Sequence, residues 1–234
     1  MKSFRFAPLR ELLQLIIPES CVVCGKPLEG DERFLCVNCL GSLPFNHYSD
    51  SAGNATELRL SGCFPFVAAT SFLSFRQGNE TQAIVHRIKY YGNEKLGVYM
   101  GRMFGVELLA SHRFDDVDCI MPVPLHCRKQ RRRGYNQSLL LCKGISEVLG
   151  KDVENEAVAR VIPTETQTHK TRTERFDNMS NAFKVVNPQR IEGRHILLVD
   201  DVLTTGSTIS ECAETILTVP STKVSVATLS ITVG

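Results

Sequence analysis

No apolar run in this chain is long enough to cross a bilayer. The longest, such as 12–17, is interrupted by Gln14, whereas a spanning helix needs about 20 predominantly apolar residues. The first 20 residues contain no small-residue cleavage site, and Pro18-Glu19-Ser20 ahead of Cys21 is a poor lipidation signal. The expected compartment is therefore the cytoplasm. No internal repeat occurs, which sets aside solenoid and propeller architectures. Neither sign of charge dominates: the net charge is +2, so the total by itself implies no partner. With 43% apolar and 22% charged residues, the composition is that of a globular protein, which excludes disorder as the dominant state. The 234 residues suffice for one α/β domain and a small module.

Cysteine, by contrast, is plentiful. Nine residues is a high count for a reducing compartment, so some should be bound to something. Cys21-x-x-Cys24 and Cys36-x-x-Cys39 form two pairs separated by eleven residues. Each pair can present two thiolates on one side of a tight turn, and two such turns supply four soft ligands in a tetrahedron, which suits structural Zn²⁺. Iron and a redox dithiol are the alternatives. Gly25 after the first pair allows backbone N–H groups to fold toward the sulfurs. Cys119, Cys142 and Cys212 fall on apolar faces and are read as core residues. Cys63 and Cys127 have no assignment.

The pattern along the chain divides it into three. Residues 1–45 read as a helix over 8–17, opened by a proline in its first turn, and a four-cysteine module too small to hold together without a metal. Residues 46–62 are polar and read as a linker that includes His47. Residues 63–234 alternate strands and amphipathic helices. Strands are expected at 67–75, 117–123, 158–162, 195–199 and 223–232, and helices at 80–90, 94–110, 137–149 and 207–217. That alternation predicts an α/β fold with a mostly parallel sheet covered by helices on both faces.

The most informative stretch is 196–208. Four apolar residues lead into Asp200 and Asp201, and a short turn of Thr204, Thr205, Gly206, Ser207 and Thr208 then opens a helix. Its apolar stripe is Ile209, Cys212, Ala213, Ile216 and Leu217. A helix N-terminus favours an anion through its unpaired N–H groups and the positive end of its dipole. Hydroxyls add donors, and Gly206 permits close approach. A phosphate alone would be repelled by two carboxylates. A sugar monophosphate satisfies both halves, its hydroxyls on the acids and its 5′-phosphate in the turn.

A second stretch follows the expected strand 117–123. Five of the six residues Arg128, Lys129, Gln130, Arg131, Arg132 and Arg133 are cationic, and Gly134, Tyr135 and Asn136 come next. A pyrophosphate needs cations converging from a loop that lies flat against it, at the same sheet edge as the acids. The run carries more charge than one pyrophosphate requires, leaving Arg128, Lys129, Arg131 and Arg132 for a second polyanion such as nucleic acid. Aromatics are scarce there, Tyr135 being the nearest, so base stacking has little support. The polar stretch 163–183, with Gln167, His169, Lys170, Arg172, Arg175 and Asn178, reads as a lid or a disordered insertion. Arg87 and Lys89, just ahead of Gly92, are weaker candidates for contact with a ligand or partner.

The stretch 196–208 resembles the phosphoribosyl-pyrophosphate (PRPP) loop of type I phosphoribosyltransferases. The four-cysteine module, Lys-Tyr-x-Gly at 89–92, Pro-Val-Pro with Arg-Arg-Gly-Tyr-Asn-Gln, and the PRPP loop together, in this order, resemble the ComF family of zinc-bearing, phosphoribosyltransferase-like proteins. That resemblance implies a type I phosphoribosyltransferase-like fold. It also implies PRPP held by Asp200, Asp201 and 204–208, with Mg²⁺, and pyrophosphate held by Arg133, Gly134 and Tyr135. Arg133, Asp200 and Asp201 would carry catalysis, and the 164–183 loop would close over the centre. The implied partners are single-stranded DNA and competence proteins such as a DNA helicase. Phosphoribosyltransferases acting on 6-oxopurines usually carry aspartate where this chain has Thr204, so hypoxanthine and guanine are disfavoured as acceptors. A nucleic-acid-binding accessory protein with a PRPP-sensing pocket is the second reading.

Overall fold

The computed structural model describes residues 19–90, 92–161 and 182–233, without the side chains of Lys129 and Arg132. The helix expected at 8–17 and most of the 163–183 stretch lie outside the described residues. Five parallel strands form the sheet: β1 (Ala69–Phe75), β2 (Cys119–Pro122), β3 (Asp152–Val153), β6 (His195–Leu203) and β7 (Lys223–Thr232), in the order β1-β7-β6-β2-β3. A separate antiparallel ribbon pairs β4 (Val158–Arg160) with β5 (Phe183–Val185). The helices are α1 (Val37–Gly41), α2 (Ala55–Leu60), α3 (Glu80–Tyr90), α4 (Glu94–Ser111), α5 (Cys127–Arg133), α6 (Gln137–Leu149) and α7 (Ser207–Leu217).

Central strand β6 is apolar on both sides because helices cover both faces. Leu197 and Val199 join the core under α3, α4 and α6, while Ile196 and Leu198 join the core shared with α7. Asparagine caps open two of these helices: Asn93 accepts from Leu96 N–H at 3.1 Å, and Asn136 accepts from Ser138 N–H at 3.1 Å. Such caps satisfy donors that a helix start leaves unpaired.

Helices α4 and α6 approach closely through glycine. A Cβ at Gly101 would stand 2.3 Å from the Leu141 carbonyl oxygen, and one at Gly144 would stand 2.1 Å from that of Val98. These obstacles are backbone, so the helices must move apart to admit a methyl group. Gly144→Ala is accordingly expected to lower stability by about 1–3 kcal/mol through overpacking. Urea denaturation measures it, and a loss below about 0.5 kcal/mol, the scale of a neutral surface change, would contradict the packing account.

The strand expected at 158–162 ends at Arg160 and lies in the antiparallel ribbon, outside the main sheet, and the strand expected at 195–199 continues to Leu203. Two stretches read as irregular are also folded. The stretch 46–62 is folded rather than a linker. Asn46 N–H donates to the Phe72 carbonyl at 3.0 Å, and Thr56 Oγ1 donates to Ser71 Oγ at 2.8 Å. Asn54 caps α2 and also donates to the Ala69 carbonyl at 2.8 Å. The polar residues that suggested a solvated linker bond instead to β1. Likewise, 127–133 is helical rather than a flat loop. His126 Nδ1 accepts from Arg128 N–H at 3.2 Å, and Gly134, at φ +86°, ends the helix with its N–H on the Gln130 carbonyl. Arginine, lysine and glutamine are good helix formers, and a left-handed glycine is a favoured stop.

The four-cysteine module shares the main core. Cys21, Leu35, Cys36 and Leu43 are buried in the same cluster as Phe72 and Phe104, and the Phe34 and Tyr99 rings lie 5.3 Å apart.

Candidate phosphoribosyl site

A cavity of about 610 Å³ opens at the carboxyl ends of β2 and β6, lined by Asp200, Asp201, Thr204, Thr208, Arg133 and Lys89 among others. Ligands of open parallel sheets bind in this place. The acids come from the end of β6 and the two threonines from the turn and first residues of α7. Arg133 comes from the last residue of α5. Thr205 and Ser207 are exposed in the turn, their hydroxyls 3.2 Å apart. Gly206 adopts φ +90°, and a Cβ there would meet Leu60 Cδ2 at 3.0 Å. The turn is thus shaped by the glycine and backed by α2.

The two acids differ in environment. Asp200 accepts from Ser138 Oγ and from Asp201 N–H, both at 2.9 Å. Burial, followed by the charge of Asp201, pushes its carboxyl up to about 7, against the pull of those donors and of Lys89. Asp201 pairs with Lys89 Nζ at 3.0 Å. Lys89, a weak candidate from sequence, therefore stands inside the site and balances part of its negative charge.

Arg133 is held on two sides. Its Nη1 donates to Gln137 Oε1 at 2.8 Å, and its guanidinium lies 5.3 Å from the Tyr90 ring centroid. Among the described residues, its Nε and Gln137 Nε2 are buried without a partner. Such donors cost stability unless something accepts from them, and both residues line the cavity. Tyr135 does not line it; its hydroxyl donates to the Ile88 carbonyl at 2.5 Å, fixing the end of α3 beside the site. Gly134 is exposed and also outside the lining. Arg128 and Arg131 are exposed on the outer face of α5.

Arg59 carried no signal in the sequence. It reaches from α2 to donate to the Thr204 carbonyl at 2.8 Å and to Thr232 Oγ1 at 2.9 Å, tying the turn to the end of β7. Only the tertiary fold brings these groups together.

In the N-terminal module, the sulfurs of Cys21, Cys24, Cys36 and Cys39 lie within 4.8 Å of one another, an arrangement that can hold a metal ion. Against desolvation, backbone N–H groups of Cys24, Cys36 and Val23 bring the Cys21 thiol down to about 6, while desolvation and the neighbouring thiols push Cys39 up. The crowding of four thiols thus favours one thiolate at Cys21, and a cation among them would favour the rest. Cys119, Cys142 and Cys212 are buried in the core, whereas Cys63 and Cys127 are exposed. Among the described residues, no helix is long and apolar enough to cross a membrane.

The parallel sheet, the acid pair and the hydroxyl-rich turn define a phosphoribosyltransferase-like protein, and residues 139–230 match the phosphoribosyl transferase domain family. A DNA utilization protein YhgH of Salmonella typhimurium is 35% identical over 223 residues, covering 87% of this chain and 92% of the relative. Its namesake in Escherichia coli K12 is 32% identical over 200 residues, covering 84% and 83%. Competence protein F of Haemophilus influenzae is 40% identical over 105 residues, covering 44% and 46%. The chain belongs to the ComF family of phosphoribosyltransferase-like proteins.

Proposed function

We propose that this protein binds PRPP and transfers its phosphoribosyl group to an acceptor, in the service of DNA utilisation or competence. The observation that carries the reading is one cavity joining Asp200 and Asp201, the 204–208 turn, and buried Arg133 and Gln137 donors that lack a partner. Ribose hydroxyls would donate to the acids. The 5′-phosphate would accept from the N–H groups and hydroxyls of the turn, at the positive end of α7. Arg133 would take the departing pyrophosphate, where negative charge grows in the transition state. Mg²⁺, which suits the carboxylate and phosphate oxygens gathered there, would neutralise pyrophosphate charge when bound. The names of the relatives supply the DNA connection.

The four thiolates fit zinc. Zinc–sulfur bonds of about 2.3 Å place tetrahedral sulfurs about 3.8 Å apart, and Cys24 Sγ and Cys36 Sγ are separated by 3.8 Å. Its role is structural, since four protein ligands leave no open position.

Arg59 acts on the phosphate turn without touching the ligand. Arg59→Ala is expected to weaken PRPP affinity about tenfold, the equivalent of a charged hydrogen bond, while the acids keep their places. Calorimetric titration of the variant measures it, and unchanged affinity would show that the turn holds its shape unaided.

A second reading, binding of single-stranded nucleic acid, rests on the exposed cations of α5. The two roles separate by salt. Arg131→Ala with Arg132→Ala should weaken single-stranded DNA binding and flatten its log–log salt slope, which is about −0.7 per phosphate contacted, with little change in PRPP affinity. Arg133→Ala should mainly reduce PRPP or pyrophosphate binding. Absence of DNA binding at low salt would remove the nucleic-acid role. Transfer itself is tested by assaying pyrophosphate release with PRPP, Mg²⁺ and a panel of bases.

A further inference from the structure

A second cavity, of about 260 Å³, lies beside the first. The two share Pro124, Leu125, Asn136 and Arg160 in their linings, so they are neighbours along this wall. The smaller one extends away from the acids, between the end of β2, the start of α5 and strand β4. Its polar lining includes Gln130, Asn155 and Cys127, all exposed. Met121, Pro122 and Leu139 give it an apolar wall. At the junction, the Arg160 guanidinium sits 5.0 Å from the Phe183 ring centroid, while its Nε is buried without a partner among the described residues. That leaves a fixed cation with an unused donor between the two spaces.

Size, chemistry and surroundings restrict what fits. Pockets for whole drug-sized ligands span about 300–1,000 Å³, so 260 Å³ suits a single ring system. Side-chain amides can pair with the hydrogen-bonding edge of a base, and the apolar wall can take its face. The mouth opens at α5, whose exposed Arg128 and Arg131 offer a track for phosphates. A base stacked in a duplex cannot enter such a recess, whereas an unstacked base of a single strand can.

We propose that this side cavity seats one base of a single-stranded nucleic acid whose backbone follows the outer face of α5. The strand is thereby brought to the wall of the phosphoribosyl cavity. The proposal deepens the proposed function and rests on it for the purpose of that placement: the strand is held next to the cavity where PRPP would bind. No aromatic side chain lines the recess among the described residues, so the seat should tolerate different bases.

Cys127 provides a native probe, because its exposed thiol lines this cavity and not the larger one. The full chain is treated with iodoacetamide and the alkylation of each cysteine is followed by peptide mass spectrometry. Exposed Cys63, which lines neither cavity, serves as the internal reference. Saturating oligothymidylate should slow alkylation of Cys127 and leave Cys63 unchanged, whereas duplex of the same length should not protect. Ala159→Trp, which fills the recess, should weaken oligonucleotide binding about tenfold, the scale of one or two lost hydrogen bonds, and leave PRPP affinity intact. Gln130→Ala with Asn155→Ala, at two exposed positions, should do the same without risk to the core. Undiminished alkylation of Cys127, equal protection by duplex, or protection by PRPP alone would overturn the proposal. So would normal strand binding by both variants. Protection by the strand in a protein that binds no PRPP would support the recess and defeat the transferase reading.

Discussion

Replacing Asp200 and Asp201 together by asparagine is expected to abolish PRPP binding and leave the fold intact. The acids stand at the end of β6 where it meets the cavity, and asparagine keeps their shape while removing the charge proposed to accept ribose hydroxyls. The effect on stability has a definite sign. The Asp200 carboxyl is raised from 3.8 to about 7, so the folded protein keeps a proton that the unfolded chain releases. Stability from this group is therefore greatest at low pH and declines as pH rises from about 4 to about 7. The double variant escapes that decline and should melt no lower than the parent at pH 8, even though Lys89 loses its partner. For the same reason, PRPP affinity of the parent should rise with pH up to about 7, because the proposed binding mode uses the ionised acid. Filter binding with labelled PRPP and melting curves at pH 5 and pH 8 measure both effects. Unchanged affinity in the double variant would mean the acids do not hold the ligand.

The second large effect is expected at the cysteines. Cys36→Ser should lose the metal, of which the parent should carry about one equivalent of zinc, and should loosen the N-terminal module. Because Leu35 and Leu43 share the core with Phe72 and Phe104, the damage should spread beyond the module. We expect the melting temperature to fall by at least about 5 °C, the scale of roughly 2 kcal/mol in a domain of this size. Elemental analysis of protein never exposed to chelator, with thermal melts of the variant, measures this. Iron in place of zinc would correct the metal, and absence of any metal would defeat the assignment.

Where a segment carries its own periodicity and caps, the fold was legible in the chain. Helices at 80–90, 137–149 and 207–217 and the strand at 223–232 have the bounds that the apolar pattern predicts. Each buries one stripe or two faces, so local pattern and tertiary environment agree. Helix α5 was not legible, because seven residues dominated by cations show no apolar stripe. Its existence depends on the His126 cap and the Gly134 stop. The folded state of 46–62 was hidden because Asn54 and Thr56 find their partners on β1, and composition carries no trace of such partners. The site divides in the same way. The acids and the hydroxyl turn announce themselves because their chemistry lies in one continuous run. Lys89 beside Asp201, Arg59 behind Thr204 and Arg160 between the cavities are remote in sequence, and only the tertiary fold brings them to one edge of the sheet.

Occupancy of the cavity at the ends of β2 and β6 by PRPP is read out by titrating this chain with PRPP and Mg²⁺ in a calorimeter at pH 8, above the value of about 7 to which the Asp200 carboxyl is pushed. Saturable one-site binding is expected, with a dissociation constant below about 1 mM, the upper end of usual substrate affinities. Pyrophosphate should compete. A parent protein that gives no binding heat and no competition at millimolar PRPP would contradict that occupancy.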